Sequence, residues 1–210
     1  MPIRIIIADD HSIVRQGLKR IASADEQMIV VGEAENGAEL LNKLKVDKAD
    51  VLILDLSMPG RNGIEILKDI KRIDPALPVL ILSMHPEDQY AVRALRAGAA
   101  GYMTKELAAD DLVTAIKTVY KGSRYITPRV AELMADHLDL STPEERFRVL
   151  SDREYEVFLK LARAETVGQI STELNLSAKT VSTYRTRILE KMGMSSNAEL
   201  TRYALDHELL

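Results

Sequence analysis

Between residues 3 and 122, short apolar runs alternate with longer stretches whose apolar residues recur at helical spacing. The runs are IRIIIA (3–8), MIVVGEA (28–34), VLIL (51–54), VLILS (79–83) and AGYMT (100–104). Each is followed by an amphipathic stretch, at 12–23, 38–46, 63–73, 89–98 and 108–122. In the first of these, Ile13, Leu18 and Ile21 mark the inner face. A strand exposed on one face alternates apolar with polar residues, whereas one covered on both faces is apolar throughout. Five such strands, each followed by a helix, predict a doubly wound α/β domain with a five-stranded parallel sheet. In that architecture ligands sit beyond the carboxyl ends of the strands.

The texture changes after Gly122. Residues 123–148 hold one short helical stretch (129–138) and then a segment rich in Ser, Thr, Pro and Glu, read here as a linker. No strand signal follows. Ser151 with Glu154 three residues on forms a capping box ahead of a helix over 151–164. Further helices are predicted over 167–175, over 178–193 behind the cap Ser177, and over 196–209. The chain therefore divides into an α/β domain (1–122), a linker (123–148) and an all-α four-helix domain (149–210).

Composition narrows the function classes. The chain has no cysteine, which removes disulfides and thiolate metal sites. Its longest apolar runs are far too short to span a bilayer. The N-terminal MPIRIIIADD ends its apolar run in two acids, unlike a signal peptide, so a cytoplasmic protein with no membrane partner is expected. The net charge of −4 argues against general polyanion binding, yet residues 178–192 carry Lys179, Arg185, Arg187 and Lys191 against Glu190 alone. Where charge is placed matters more than its sum.

The predicted strand ends carry a set of reactive groups. Asp9 and Asp10 follow the first strand, Asp55 the third, Ser83 the fourth and Lys105 the fifth. Three carboxylates brought to one edge repel unless a cation relieves them. A hard divalent ion with oxygen ligands, Mg2+ above all, suits them. Together with the Lys105 ammonium and the Ser83 hydroxyl, it would surround a phosphoryl group on Asp55 with the electrostatic positioning that phosphoryl transfer needs.

The motifs ADDH (8–11), LDLSMPGRNG (54–63), LILSMH (80–85) and GAAGYMTKE (98–106) give residues 3–121 a close resemblance to the receiver domain of bacterial two-component response regulators, a flavodoxin-like fold. The resemblance implies that Asp55 accepts a phosphoryl group from a sensor histidine kinase. Asp9, Asp10, Asp55 and the backbone carbonyl of Ser57 would hold Mg2+, Lys105 would pair with the phosphoryl group or Asp55, and Ser83 and Tyr102 would be the switch residues. Many receivers carry proline after the lysine. Glu106 stands there, which leaves the geometry of the Lys105–Glu106 peptide open.

In the second domain, VGQISTELN, the turn at 176–177 and the helix after it form a helix-turn-helix, with Val181, Ile188, Leu189 and Met192 expected inside. The stretch 150–193 resembles the DNA-binding domain of the NarL/FixJ (LuxR-type) family in its LSDREYEV, LSAKTV and ILEKMG segments, and KTVSTYRTR resembles the GacA/UvrY-like subgroup. By that likeness Ser182, Thr183 and Thr186 face bases, Lys179, Thr180, Arg185 and Arg187 contact phosphates, and Ala198, Leu200, Thr201 and Tyr203 form a homodimer surface on paired half-sites. The family commonly has Gly where Ala164 stands and His where Tyr184 stands; Ala resists the left-handed helix end that Gly accepts, so a different helix end is expected at 164. Such a chain is a phosphorylation-switched transcription regulator rather than an enzyme, beyond catalysing its own phosphotransfer and dephosphorylation. Two other readings exist. A magnesium-dependent aspartyl-phosphate phosphatase would need a second Asp two residues after Asp55, where Ser57 stands. A receiver acting only through protein–protein contacts would show no salt-sensitive DNA binding.

Overall fold

Ile, Val and Leu suit a pleated strand whose two faces are both covered, and the apolar runs fold accordingly. A computed structural model of the chain describes residues 1–136 and 146–210. It divides into two compact units, Met1–Ala135 and Asp136–Leu210. No helix among the described residues is long and apolar enough to cross a membrane.

The first unit runs β1 (Ile3–Ala8), α1 (Ser12–Ser23), β2 (Met28–Ala34), α2 (Gly37–Val46), β3 (Val51–Asp55), α3 (Gly63–Ile73), β4 (Val79–Ser83), α4 (Glu87–Arg96), β5 (Gly101–Thr104), α5 (Ala108–Tyr120) and α6 (Pro128–Asp136). The sheet order is β2-β1-β3-β4-β5, with every pair parallel. On one face, Ile5, Ile7, Val51, Ile53, Leu80, Leu82 and Met103 pack with Leu18 and Ala22 of α1 and with Leu112, Ala115, Ile116 and Val119 of α5. Strand alternation sends Ile6, Leu52, Leu54 and Ile81, also buried, to the opposite face. The direction of winding reverses between β1 and β3, and such sheets open a crevice where it does.

Register carries the reactive residues to that crevice together. Ala8 pairs with Leu54, so Asp9 and Asp55 leave β1 and β3 side by side. Asp55 pairs with Leu82 and Ser83 with Thr104, which places Ser83 and then Lys105 at the same edge. The Lys105 N–H donates to the Ser83 carbonyl at 2.8 Å and extends the ladder by one step. The loop after β3 is tied down by α3: a Cβ on Gly63 would lie 2.5 Å from Leu56 Cα, so only glycine lets the helix start this close.

Several details depart from the sequence expectation. The inner face of α1 is Arg15, Leu18 and Ala22, whereas Ile13 is 86% exposed. Ile13 and Leu18 are five residues apart, which turns them away from each other on a helix of 3.6 residues per turn. Residues after Gly122 return to the first unit. The Tyr125 N–H donates to the Ala100 carbonyl at 2.9 Å, forming a bridge opposite Gly101, and Val130 of α6 is buried. Thr127 Oγ1 donates to Glu87 at 2.8 Å and Arg129 to Asp88 at 2.5 Å, so the start of α6 is fastened to the start of α4. The expected helix over 129–138 is present through Asp136, and its last two residues lie outside the described ones.

The second unit holds a 3-10 turn (Arg146–Val149), α7 (Asp152–Ala162), α8 (Val167–Glu173), α9 (Ala178–Met192) and α10 (Asn197–Asp206). The capping box of Ser151 and Glu154 forms as expected, and Thr166 and Gln169 make a second at the start of α8. Tyr155, Phe158, Ile170, Val181, Ile188, Met192, Leu200 and Ala204 are all buried and form the core. Leu200 is thus an interior residue, not part of a surface for a second copy. At the end of α7, Ala164 takes the left-handed conformation usually left to glycine (φ 62°), with the Glu165 N–H donating to the Lys160 carbonyl at 3.1 Å. The helix closes in the glycine manner despite its methyl group.

Candidate functional site

At the carboxyl edge of the sheet, Lys105 Nζ lies 2.7 Å from Asp9 Oδ2 and 2.8 Å from Asp55 Oδ2. The three side chains are nearly withdrawn from solvent: Lys105 is 7% exposed, Asp9 1% and Asp55 0%. The Ser57 N–H donates to Asp55 Oδ1 at 3.0 Å, so both Asp55 oxygens are held. Burial pushes the Asp55 carboxyl above the ordinary carboxylate range, opposed by the Lys105 ammonium and the Ser57 N–H. Burial also pulls Lys105 down, but its hydrogen bond to Asp55 and its ion pair with Asp9 outweigh that and leave it raised. The lysine is therefore a fixed cation between two acids.

One cation does not satisfy this cluster. Among the described residues, Asp9 Oδ2 has only its ion pair with Lys105 and receives no aligned hydrogen bond; Asp10 Oδ1 is likewise buried without one, although His11 Nδ1 lies 2.9 Å away. Ligand atoms of Asp9, Asp10, His11 and Asp55 all lie within 4.8 Å of one another. Buried carboxylate oxygens lacking donors, in an oxygen-rich set, fit a hard divalent cation such as Mg2+. His11, absent from the sequence expectation, holds Asp9 through its own N–H to Asp9 Oδ1 at 2.8 Å. Arg15 was also missed. Its Nη1 donates to the Asp9 carbonyl at 2.6 Å, and its other nitrogens meet Glu33 and Glu35, which fixes the loop after β1.

Ser83 ends β4 fully buried, and its Oγ accepts the His85 N–H at 3.1 Å. Tyr102 of β5, paired with Ile81 of β4, is also buried and donates its hydroxyl to the His85 carbonyl at 2.9 Å. The two switch candidates thus hold the same loop residue. The Lys105–Glu106 peptide is trans.

The second unit presents the other set. Val181, Ile188, Leu189 and Met192 form the buried side of α9, while Lys179, Ser182, Thr183, Thr186 and Arg187 are exposed and Thr180 and Arg185 half-buried. Ser177 Oγ caps the helix by accepting the Thr180 N–H at 3.0 Å. Ser182, Thr183 and Thr186 donate their hydroxyls to carbonyls four residues back, at 2.9, 3.0 and 3.2 Å. Their remaining lone pairs can accept from a base amino group. Lys179 and Arg187 have no ion-pair partner among the described residues.

Comparison with known proteins agrees with both halves. Residues 5–117 match the response regulator receiver domain, and residues 148–204 match bacterial regulatory proteins of the luxR family. The response regulator UvrY of Escherichia coli (strain K12) is 36% identical over 99% of this chain and 95% of its own length. The response regulator GacA of Pseudomonas aeruginosa is 38% identical over 99% and 98%. Among solved structures, the Salmonella typhimurium RcsB response regulator superposes with a TM-score of 0.73 at 32% identity, covering 98% of each chain. RcsB bound to promoter rprA in the presence of phosphomimetic BeF3- gives 0.67 at 30% identity, over 97% and 98%. A receiver domain followed by a luxR-family domain, in that order and with relatives alike along almost the whole length, leaves one conclusion: this chain belongs to the LuxR-type response regulators of bacterial two-component systems.

Proposed function

We propose that Asp55 accepts a phosphoryl group from a sensor histidine kinase and that this modification controls how α9 engages DNA. The observation that carries this reading is the placement of Lys105 Nζ between Asp9 and Asp55 at the carboxyl edge of the sheet. An Asp55 oxygen attacks the phosphorus of the kinase phosphohistidine, the P–N bond breaks, and a mixed anhydride forms on Asp55. The Ser57 N–H orients Asp55, and Lys105 supplies positive charge where phosphoryl oxygens gather. Asp9, Asp10, Asp55 and the Ser57 carbonyl would hold Mg2+, which when bound neutralises charge on the phosphoryl oxygens.

Once phosphorylated, the Ser83 hydroxyl turns to a phosphoryl oxygen. It then gives up the His85 N–H that it accepts in the unmodified protein. Tyr102, also bonded to His85, follows. The consequence in the second unit is homodimeric binding of paired DNA half-sites in the cytoplasm. Lys179, Thr180, Arg185 and Arg187 hold phosphates, and Ser182, Thr183 and Thr186 face bases. Beyond catalysing its own phosphotransfer and dephosphorylation, the protein has no enzymatic role. Residues 1–122 act as receiver, 149–210 as DNA-binding domain, and 123–148 as the connection.

The test uses mobility shifts on matched and scrambled duplexes, with and without acetyl phosphate and Mg2+. Phosphodonor should tighten binding to the matched site. Thr183→Ala should change sequence preference, while Lys179→Ala should weaken binding alike on every sequence. Binding indifferent to phosphodonor, or to salt, would exclude this reading.

A further inference from the structure

We propose that Asn197, at the start of α10, is a positioning residue for DNA-backbone recognition by Arg185 of α9. Arg185 Nε donates to Asn197 Oδ1 at 2.7 Å across the gap between the two helices. No other partner for the guanidinium exists among the described residues. The acceptor is itself fixed. Asn197 is the first residue of α10, directly after the cap Ser196, whose Oγ accepts the Glu199 N–H at 3.3 Å. Glu199 in turn accepts from the Ser195 N–H at 3.1 Å and from the Ser195 hydroxyl at 2.5 Å. The Asn197 carbonyl accepts the Thr201 hydroxyl at 3.1 Å. The asparagine therefore sits on a tied helix start and reaches across to α9.

The consequence lies in guanidinium geometry. A guanidinium can grip an oxyanion by two parallel N–H bonds along either of two edges, the Nε side or the Nη1–Nη2 end. Asn197 occupies the Nε side, so only the terminal edge remains for a two-bond grip on a phosphate. The tether also removes rotamer freedom from a long side chain before DNA arrives, an entropy loss that binding would otherwise bear. Asn197 brings no charge and needs no contact with DNA to act. Its amide is short and neutral: aspartate would offer the same oxygen but add negative charge near the phosphates. This inference rests on the reading of Arg185 as a phosphate contact.

The test is a double-mutant cycle in the full-length protein, treated with acetyl phosphate and Mg2+. Affinity for a random-sequence duplex is measured across a salt series. Arg185→Ala should weaken binding and reduce the salt slope by about 1, because one phosphate contact is lost. Asn197→Ala should weaken binding about three- to tenfold with the salt slope unchanged, since the charge remains and only its preorganisation is lost. In the Arg185→Ala background, Asn197→Ala should cause no further loss. A purely structural role for Asn197 would lower the melting temperature and weaken binding equally in both backgrounds; additive losses, or unchanged affinity in Asn197→Ala, would overturn the proposal. If Arg185→Ala changes neither affinity nor slope, the reading of Arg185 falls first, and the inference built on it falls too.

Discussion

Ala164 shows that a backbone angle suited to glycine can be held at a residue that carries a side chain. Neighbouring bonds, including the Glu165 N–H to the Lys160 carbonyl, close α7 in the left-handed manner although the position carries a methyl group. A residue with a Cβ, Asn and Asp apart, is disfavoured there by about 1–2 kcal/mol. Ala164→Gly is therefore expected to stabilise the second unit by about 1 kcal/mol, raising its melting midpoint by about 4–8 °C. Scanning calorimetry reads this directly, and a lower midpoint would mean that Ala164 is not strained. Side chains at this scale were unevenly legible. Asp9, Asp55, Ser83 and Lys105 could be read because each stands at the end of an apolar run, and a strand end is a fixed place. Arg15 could not, because a cation inside the α1 face is recognisable only once Glu33, Glu35 and the Asp9 carbonyl are seen to surround it. The capping box of Thr166 and Gln169 could have been read from its spacing, as that of Ser151 and Glu154 was.

Among the elements, the strands and most helices were legible because the switch between continuous and helical apolar spacing is local. The return of residues 125–130 to β5 and α4 was not. It depends on a glycine, Gly101, whose missing side chain leaves room for Tyr125. A Cβ at Gly101 would lie 2.8 Å from the Tyr125 carbonyl oxygen, 2.9 Å from Tyr125 Cβ and 3.0 Å from Leu80. Gly101→Ala should therefore lift the 125 segment from the sheet and destabilise the first unit by about 1–3 kcal/mol, as overpacking does. Hydrogen exchange at the Tyr125 amide would accelerate; unchanged protection would show that the segment is held elsewhere. A second element-scale expectation concerns α7 and α9. Burial disfavours the Glu154 charge, yet Lys191 at 2.6 Å and the Ser151 cap outweigh it and hold its carboxyl below the ordinary range. A depressed acid contributes stability above its unfolded pKa and loses it as pH falls through the folded value. The second unit should thus weaken as pH drops below the ordinary glutamate range. Glu154→Gln should flatten that acid limb while lowering stability at neutral pH. An acid limb of the same steepness in the variant would assign it to other groups.

Across the whole molecule, two chemistries sit in two units: a buried acid–lysine cluster in one and an exposed basic helix in the other. The net charge of −4 hides the second, and only the local balance of residues 178–192 reveals it. Family membership, legible in the motifs, joins the two into one response regulator, and the proposed function has the first unit govern the second. That account depends on where the phosphoryl group goes. The most direct measurement is intact mass and peptide mapping after incubation with acetyl phosphate and Mg2+, on the wild-type chain and on Asp55→Asn. The wild-type protein should gain one phosphoryl group, mapped to the peptide holding Asp55 and released by mild base or hydroxylamine, as a mixed anhydride is. Asp55→Asn should gain none while keeping its folded spectrum. Equal labelling of Asp55→Asn, or a label mapped to any residue other than Asp55, would contradict it.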